Sequence, residues 1–318
     1  MNVNTIADIK DLLQGCYQDK PAIVASVGGS GTWAMDMAGP GFPEGMPETG
    51  VKTAVAFRQV QTPFGPIPVV KILIVDGSPV IRIPVHGWRF PIPNLNHTNA
   101  TFWLLFHLGI KEVIVDASVG GIKAKPWDVV VPDDVIINNE AKLKILELTS
   151  QIDGDSRKRM AEPFCPTLRQ CLIAAVKRLP GLQEVFPHAP LADLHEKGTY
   201  YTMPLTVFET PAEIKDLKKR GFLVVGQSSG QEALAARLCG MHFAVVNPVV
   251  NFAEGLEGAS WSAGETMADL YTRIAPTMGL VVIEALRLIL RTKTNCRCSE
   301  YASATDLTVF TNSTTYRE

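Results

Sequence analysis

Phe208 and Glu209 stand side by side, and one carboxamide, Asn251, closes an apolar run further along the chain. An aromatic face can stack on a heterocyclic base, and a carboxylate accepts hydrogen bonds from ring N–H groups. A carboxamide offers a donor and an acceptor together, so it can satisfy two neighbouring atoms on such an edge. Between them lies a small polar turn, Gln227-Ser228-Ser229. Near the start, Gly28-Gly29-Ser30-Gly31 follows an apolar stretch. Successive small residues let backbone N–H groups form a concave anion nest, to which the Ser30 hydroxyl adds a donor. Each reading has a plainer rival. Taken alone, Phe208-Glu209 is an exposed acid beside a core aromatic, the glycines are a tight strand exit, and Tyr200 is a core strand tyrosine. The glycine cluster also lacks the GxGxxG spacing of a dinucleotide site.

Elements must bring these residues together. Short runs rich in Val and Ile read as buried strands at 22–27, 69–75, 80–85, 112–116, 129–137, 222–226 and 242–250. Helices are expected between them. One spans 98–108 and stops at Gly109, and a second spans 168–178. A third spans 211–220, with Pro211 in its first turn and Gly221 just past its end. A fourth, 230–238, stops before Gly240, and a long one spans 267–291, where Pro276 should kink or divide it. Strands alternating with helices predict an α/β fold with a mixed central sheet. No linker splits the chain, so one domain over 21–291 is expected, after an N-terminal extension (1–20) and before a disordered Ser/Thr-rich tail (292–318). The segment 35–53 reads as an inserted surface loop or lid.

Composition narrows the function. At 46% hydrophobic residues over 318 positions the chain can bury a large core. A net charge of −2 argues against a nucleic-acid surface. No apolar run reaches the length of a membrane span, and the N-terminus has no signal-type apolar core, so a cytoplasmic place is expected. Six scattered cysteines make no secreted disulfide framework. Cys296-Arg297-Cys298 is the close pair; with no further ligands at paired spacing, these read as two exposed thiols in a tail, and no metal or other cofactor is expected.

In the order of these motifs the chain resembles the purine nucleoside phosphorylase and methylthioadenosine phosphorylase family, from about Ile23 to about Leu290. Val27 to Gly31 is similar to the family's phosphate loop. Thr62-Pro63-Phe64-Gly65 and Met160-Ala161-Glu162-Pro163-Phe164-Cys165-Pro166 resemble runs of the methylthioadenosine branch. Phe208-Glu209-Thr210 followed by Ala212-Glu213 looks more like the purine nucleoside branch. The resemblance implies a single-domain nucleoside phosphorylase-type fold and a homotrimer. It implies that Asn251 and Glu209 hold a purine, with the carboxamide suited to a 6-oxopurine. It places Tyr200, Phe208 and Gln227 near the nucleoside, and Ser30 and Ser228 near phosphate as co-substrate.

The departures bear on mechanism. After the strand at 80–85 the family carries an Arg and a His that grip phosphate; this chain reads His86-Gly87-Trp88-Arg89-Phe90, with Trp88 and Phe90 at those places. Arg89 lies one residue over, where strand alternation aims it to the other face. Asp116-Ala117-Ser118-Val119-Gly120-Gly121 replaces a run that begins with Thr or Asn. Charge-assisted hydrogen bonds are worth roughly 1.5–3 kcal/mol each, so losing two weakens phosphate binding about a hundred-fold or more. Three functions are therefore expected in order. The first is purine nucleoside phosphorolysis or a close reaction that cleaves or forms the N-glycosidic bond. The second is a repurposed enzyme of the same fold, cyclising or isomerising an apolar, terpenoid-like substrate through Trp88, Phe90 and an acid such as Glu209 or Asp116. The third is a catalytically silent nucleoside-binding protein.

Overall fold

The computed structural model describes residues 5–16, 22–29, 32, 51–85, 96–152, 158–183, 191–204, 207–256 and 267–303. The chain opens on α1 (Ile6–Cys16) and β1 (Val24–Gly28). A meander of β2 (Val51–Val60), β3 (Ile67–Val75) and β4 (Ser78–Ile83) follows, then α2 (His97–His107) and β5 (Glu112–Asp116). Short strands β6 (Val119–Gly121), β7 (Val129–Val130) and β8 (Asp134–Ile137) lead to α3 (Asn139–Leu146), a 3-10 turn at Glu147–Gln151 and α4 (Pro166–Gln183). Next come β9 (Leu194–His195), β10 (Thr199–Thr202), α5 (Pro211–Arg220), β11 (Val224–Gly226), α6 (Ser229–Leu238) and β12 (His242–Phe252). The helices α7 (Met267–Arg291) and α8 (Cys298–Ala302) close the described chain.

Among the described residues the strands form one mixed sheet in the order β2-β3-β4-β1-β5-β12-β6-β11-β10-β8, with β7 and β9 joined to β12 at the side. At its centre β4, β1, β5 and β12 are parallel, and β2, β3 and β4 make an antiparallel meander. Side chains alternate across a strand, so each central strand feeds two apolar layers. Val24, Ile114, Ala244 and Val246 pack with Leu172, Val176, Val281 and Ile283 of α4 and α7. Their neighbours Ala25, Val27, Val113, Val115, Phe243 and Val245 pack on the other face with Phe102, Leu105, Ala233 and Ala236 of α2 and α6. Strands buried on both sides must be apolar throughout, which is why they stand out in the sequence. The expected α/β fold with a mixed, helix-flanked sheet is the one observed.

Several expectations are corrected. The stretch 129–137 is two strands, β7 and β8, which pair with different partners. Residues 51–53 lie in β2, paired with β3, and the rest of the anticipated loop at 35–50 lies outside the described residues. The helix α7 runs through Pro276 without division. The N-terminal extension is not separate: Ile9 and Leu13 of α1 are buried in the same layer as α2 and α6. The tail is ordered through Ser303, because Cys298 and Tyr301 are buried against the body and the Arg159 amide donates to the Tyr301 carbonyl (3.0 Å). No helix among the described residues is long and apolar enough to cross a membrane.

Candidate active site

Because β4, β1, β5 and β12 run in parallel, their C-terminal ends open on one edge of the sheet, where open α/β sheets bind ligands. The glycine loop leaves β1 at this edge. Beneath it lies a polar knot on the α4/α7 face of the sheet. Ser26, Arg82 and Asp116 share that face with Val24, Val80 and Ile114 by alternation, and register sets Ser26 opposite Arg82 and Gly28 opposite Asp116. Arg82 Nη1 donates to Ser26 Oγ (2.7 Å) and Asp116 Oδ1 (3.1 Å). Arg82 Nη2 donates to Thr32 Oγ1 (2.6 Å) and to the Thr32 carbonyl (3.4 Å). Asp116 Oδ2 accepts from the Gly29 amide (3.2 Å) and from the Thr32 hydroxyl. Burial pushes the Asp116 carboxyl up, while Arg82, Thr32 and the Gly29 N–H act in the opposite direction. The glycines are required by space. A Cβ on Gly28 would sit 2.5 Å from Arg82 Nη2, and one on Gly29 would sit 1.7 Å from the Asp116 carbonyl oxygen.

The second group lies around β6, between the C-terminal end of β12, which runs parallel to it, and the antiparallel β11 with its neighbour β10. Gly120 of β6 is flanked by Val225 on one side and Asn251 on the other. The β12–β6 register slips between Val249 and Asn251, a bulge of the kind that re-aims a side chain. Asn251 is 7% exposed, and its Nδ2 donates to the Phe252 carbonyl (2.7 Å). Just beyond, the Glu254 amide donates to Glu209 Oε1 (3.4 Å). From the other side Gln227 Nε2, at the exit of β11, donates to the Val207 carbonyl (3.1 Å). The segment carrying Phe208 and Glu209 is thus held between the ends of β11 and β12. Burial raises the Glu209 carboxyl, its own and the Glu254 amides oppose this, and Glu254 and Glu213 reinforce it. Phe208 is 55% exposed.

The start of α5 fixes Glu209 from behind. Thr210 accepts from the Glu213 amide (3.3 Å), and Glu213 Oε2 accepts from the Thr210 amide (2.7 Å), a reciprocal capping box with Pro211 in the first turn. Tyr200 is not at the surface of the site: it is 1% exposed, and the amides of Ser228 and Ser229 bond its hydroxyl from above. Burial pushes that hydroxyl up. It supports the turn from inside the body of the chain. Gly226 is where it passes, since a Cβ there would meet the Tyr200 oxygen at 2.2 Å. Ser228 is buried at the head of α6, and its hydroxyl does not cap the helix.

These bonds tie the segment of Val207, Phe208 and Glu209 to Gln227, next to Ser228, and to Glu254, three residues beyond Asn251. Ser30, Trp88, Arg89 and Phe90 lie outside the described residues. The two groups are joined through β12, whose Val246 pairs with Asp116 five positions before Asn251. Sequence reasoning missed Arg82 and Thr32. The available signal was charge inside apolar runs: Arg82 and Asp116 each interrupt or end a Val/Ile strand. The expected absence of a ligand cluster near Cys296 and Cys298 is also corrected. Cys165, His242, Cys296 and Cys298 place their ligand atoms within 4.8 Å of one another, and Cys298 is buried. They converge because the tail folds back, which sequence spacing does not show.

Residues 44–287 match the sequence profile of the phosphorylase superfamily. A 6-oxopurine nucleoside phosphorylase from Pyrococcus furiosus is 30% identical over 254 residues, 76% of this chain and 88% of that protein. An S-methyl-5'-thioadenosine phosphorylase from Mycolicibacterium smegmatis is 29% identical over 245 residues, 74% of this chain and 86% of that protein. Among solved structures, a methylthioadenosine phosphorylase from an antarctic soil metagenomic library superposes with a TM-score of 0.66 at 21% identity, covering 89% of this chain and 91% of its own. An adenosine/methylthioadenosine phosphorylase from Schistosoma mansoni in complex with adenine gives 0.66 at 21% identity, over 88% of this chain and 95% of its own.

Proposed function

The chain belongs to the phosphorylase superfamily and is an enzyme of the nucleoside phosphorylase type, and on that premise we propose that it cleaves 6-oxopurine nucleosides with phosphate. Phosphate oxygen attacks C1′ of the sugar, the C1′–N9 bond breaks, and its electron pair passes into the purine, which takes up a proton. The products are the free base and the sugar 1-phosphate. Asn251 carries this reading. It stands at a bulge near the C-terminal end of β12, opposite a glycine, and Glu209 is held by the amide of Glu254, three residues further on. Its carboxamide can donate to the purine edge and stabilise charge that grows there as the bond breaks. Glu209 accepts from a ring N–H, and Phe208 offers a face to the base.

Ser30, Ser228 and Arg89 form the phosphate end in this reading. Trp88 and Phe90, standing where the family carries cations, leave its grip weak. The buried Asp116 adds to that weakness, since it engages the Gly29 amide that an anion would otherwise use. Arg82 neutralises Asp116 and bonds Thr32, just past the glycines. The cyclisation and silent-binder alternatives find no support among the relatives described.

The test is base release from inosine, guanosine, adenosine and methylthioadenosine, each with and without phosphate. Phosphate-dependent release of hypoxanthine or guanine is expected. In Asn251→Asp the ratio of 6-oxopurine to 6-aminopurine turnover should fall by about ten-fold or more, since the carboxylate no longer donates to O6. Release without phosphate would make the protein a hydrolase, and an unchanged ratio would remove Asn251 from base recognition.

A further inference from the structure

We propose that Cys165, His242, Cys296 and Cys298 bind one zinc ion that staples the C-terminal segment to the body of the protein. The ligands come from three parts of the chain: Cys165 just before α4, His242 at the first position of β12, and the two tail cysteines at the start of α8. Cys165 Sγ lies 3.6 Å from Cys296 Sγ and 3.7 Å from His242 Nδ1, and Cys296 Sγ lies 3.2 Å from His242 Nδ1. Four ligands on a tetrahedron around zinc, with Zn–S near 2.3 Å and Zn–N near 2.0–2.1 Å, stand about 3.6–3.8 Å apart. The three distances fall at or just below that edge, and all four ligand atoms lie within 4.8 Å of one another, so small side-chain shifts would bring them to the vertices of such a site. All four positions are filled by protein atoms, which is the closed arrangement of a structural zinc rather than a catalytic one.

A disulfide accounts for this cluster less well. All the sulfurs are free, a disulfide would use two of the three, and it would leave a thiol and an imidazole nitrogen aimed at it without purpose. Charge also favours a metal. Zinc with three thiolates and a neutral imidazole carries one net negative charge. Arg237 supplies the opposite charge from a buried position (3% exposed), donating through Nη1 to the Cys298 carbonyl (3.4 Å) and through Nη2 to the Glu162 carbonyl. Cys165 and the tail are braced by other bonds. The Cys165 amide donates to the Phe243 carbonyl (2.6 Å), and the Thr167 hydroxyl donates to the Asn295 carbonyl (3.0 Å). His242 and Asn251 occupy opposite ends of β12, about 30 Å apart along the strand, so the staple is remote from the candidate active site.

The full chain, purified without added chelator, is analysed for metal by mass spectrometry. About one zinc per chain is expected, and Cys296→Ser with Cys298→Ser should lose it. If that variant does not fold, the parent protein exchanged into cobalt decides: intense thiolate-to-cobalt charge transfer with tetrahedral d–d bands is expected. Chelation should lower the thermal midpoint by several degrees, and added zinc should restore it. Three results would overturn the proposal. They are protein that stays metal-free after incubation with zinc, cobalt bound without thiolate bands, and a disulfide between any two of the three cysteines in non-reducing peptide maps.

Discussion

Glu209 is a half-buried acid and Asp116 a fully buried one, and they serve different ends of the site. Glu209 accepts most strongly from a ring N–H as the carboxylate. Burial raises its carboxyl, so that charge-assisted bond weakens on acidification at a higher pH than for an exposed glutamate, near 4.3. The acid limb of kcat/KM should therefore lie above the ordinary carboxylate range. Glu209→Gln should abolish that limb and lower kcat/KM by about ten-fold or more; a limb that persists in the variant assigns it to another group. Folding has the opposite sign. A carboxyl raised in the folded state stabilises fully below its unfolded value and loses that contribution as pH rises through the folded one. Asp116 instead holds the loop through Arg82. Asp116→Asn leaves a buried guanidinium without its counter-charge, at a cost of about 3–5 kcal/mol. The loop then has a net positive charge, and inorganic phosphate should raise the melting temperature of the variant more than that of the parent. Equal shifts in calorimetry would show that the anion binds elsewhere.

At the scale of elements, the local signals and the outcome agree where the signals are chemical. The helix α5 begins and ends where Pro211, Arg220 and Gly221 predict, with Gly221 in the left-handed region at φ 94°. Its capping box also anchors the residue before it, Glu209. Thr210→Ala should cost about 1 kcal/mol of stability. It should raise KM for the nucleoside while leaving KM for phosphate unchanged, measured by varying each substrate in turn. The strands β1, β5 and β12 were legible because both faces are buried. By contrast β2 mixes polar and apolar residues with no two-residue period, β10 is only Thr199–Thr202, and β6 is three residues. Such strands exist through their pairing partners, so little in their own composition marks them.

At the scale of the whole molecule, assembly is the open function of the surface. A homotrimer is expected from the family resemblance, and sedimentation at micromolar concentration should give three chains; a monomer would remove any contribution of a neighbouring subunit to the site. The sequence by itself determined the α/β class and the order of the main strands and helices, which follow from burial periodicity and capping chemistry, both local properties; Phe208, Glu209, Asn251 and the glycine loop stood out only through the order of motifs that resembles the family. Only the tertiary structure decided that Arg82 and Asp116 pair beneath the loop, that Tyr200 supports the turn from inside, and that Cys165 and His242 meet Cys296 and Cys298. Those contacts join residues 34, 54, 77 and 131 positions apart. Strand register and the folding back of the tail bring them together, and no local property of either partner encodes that.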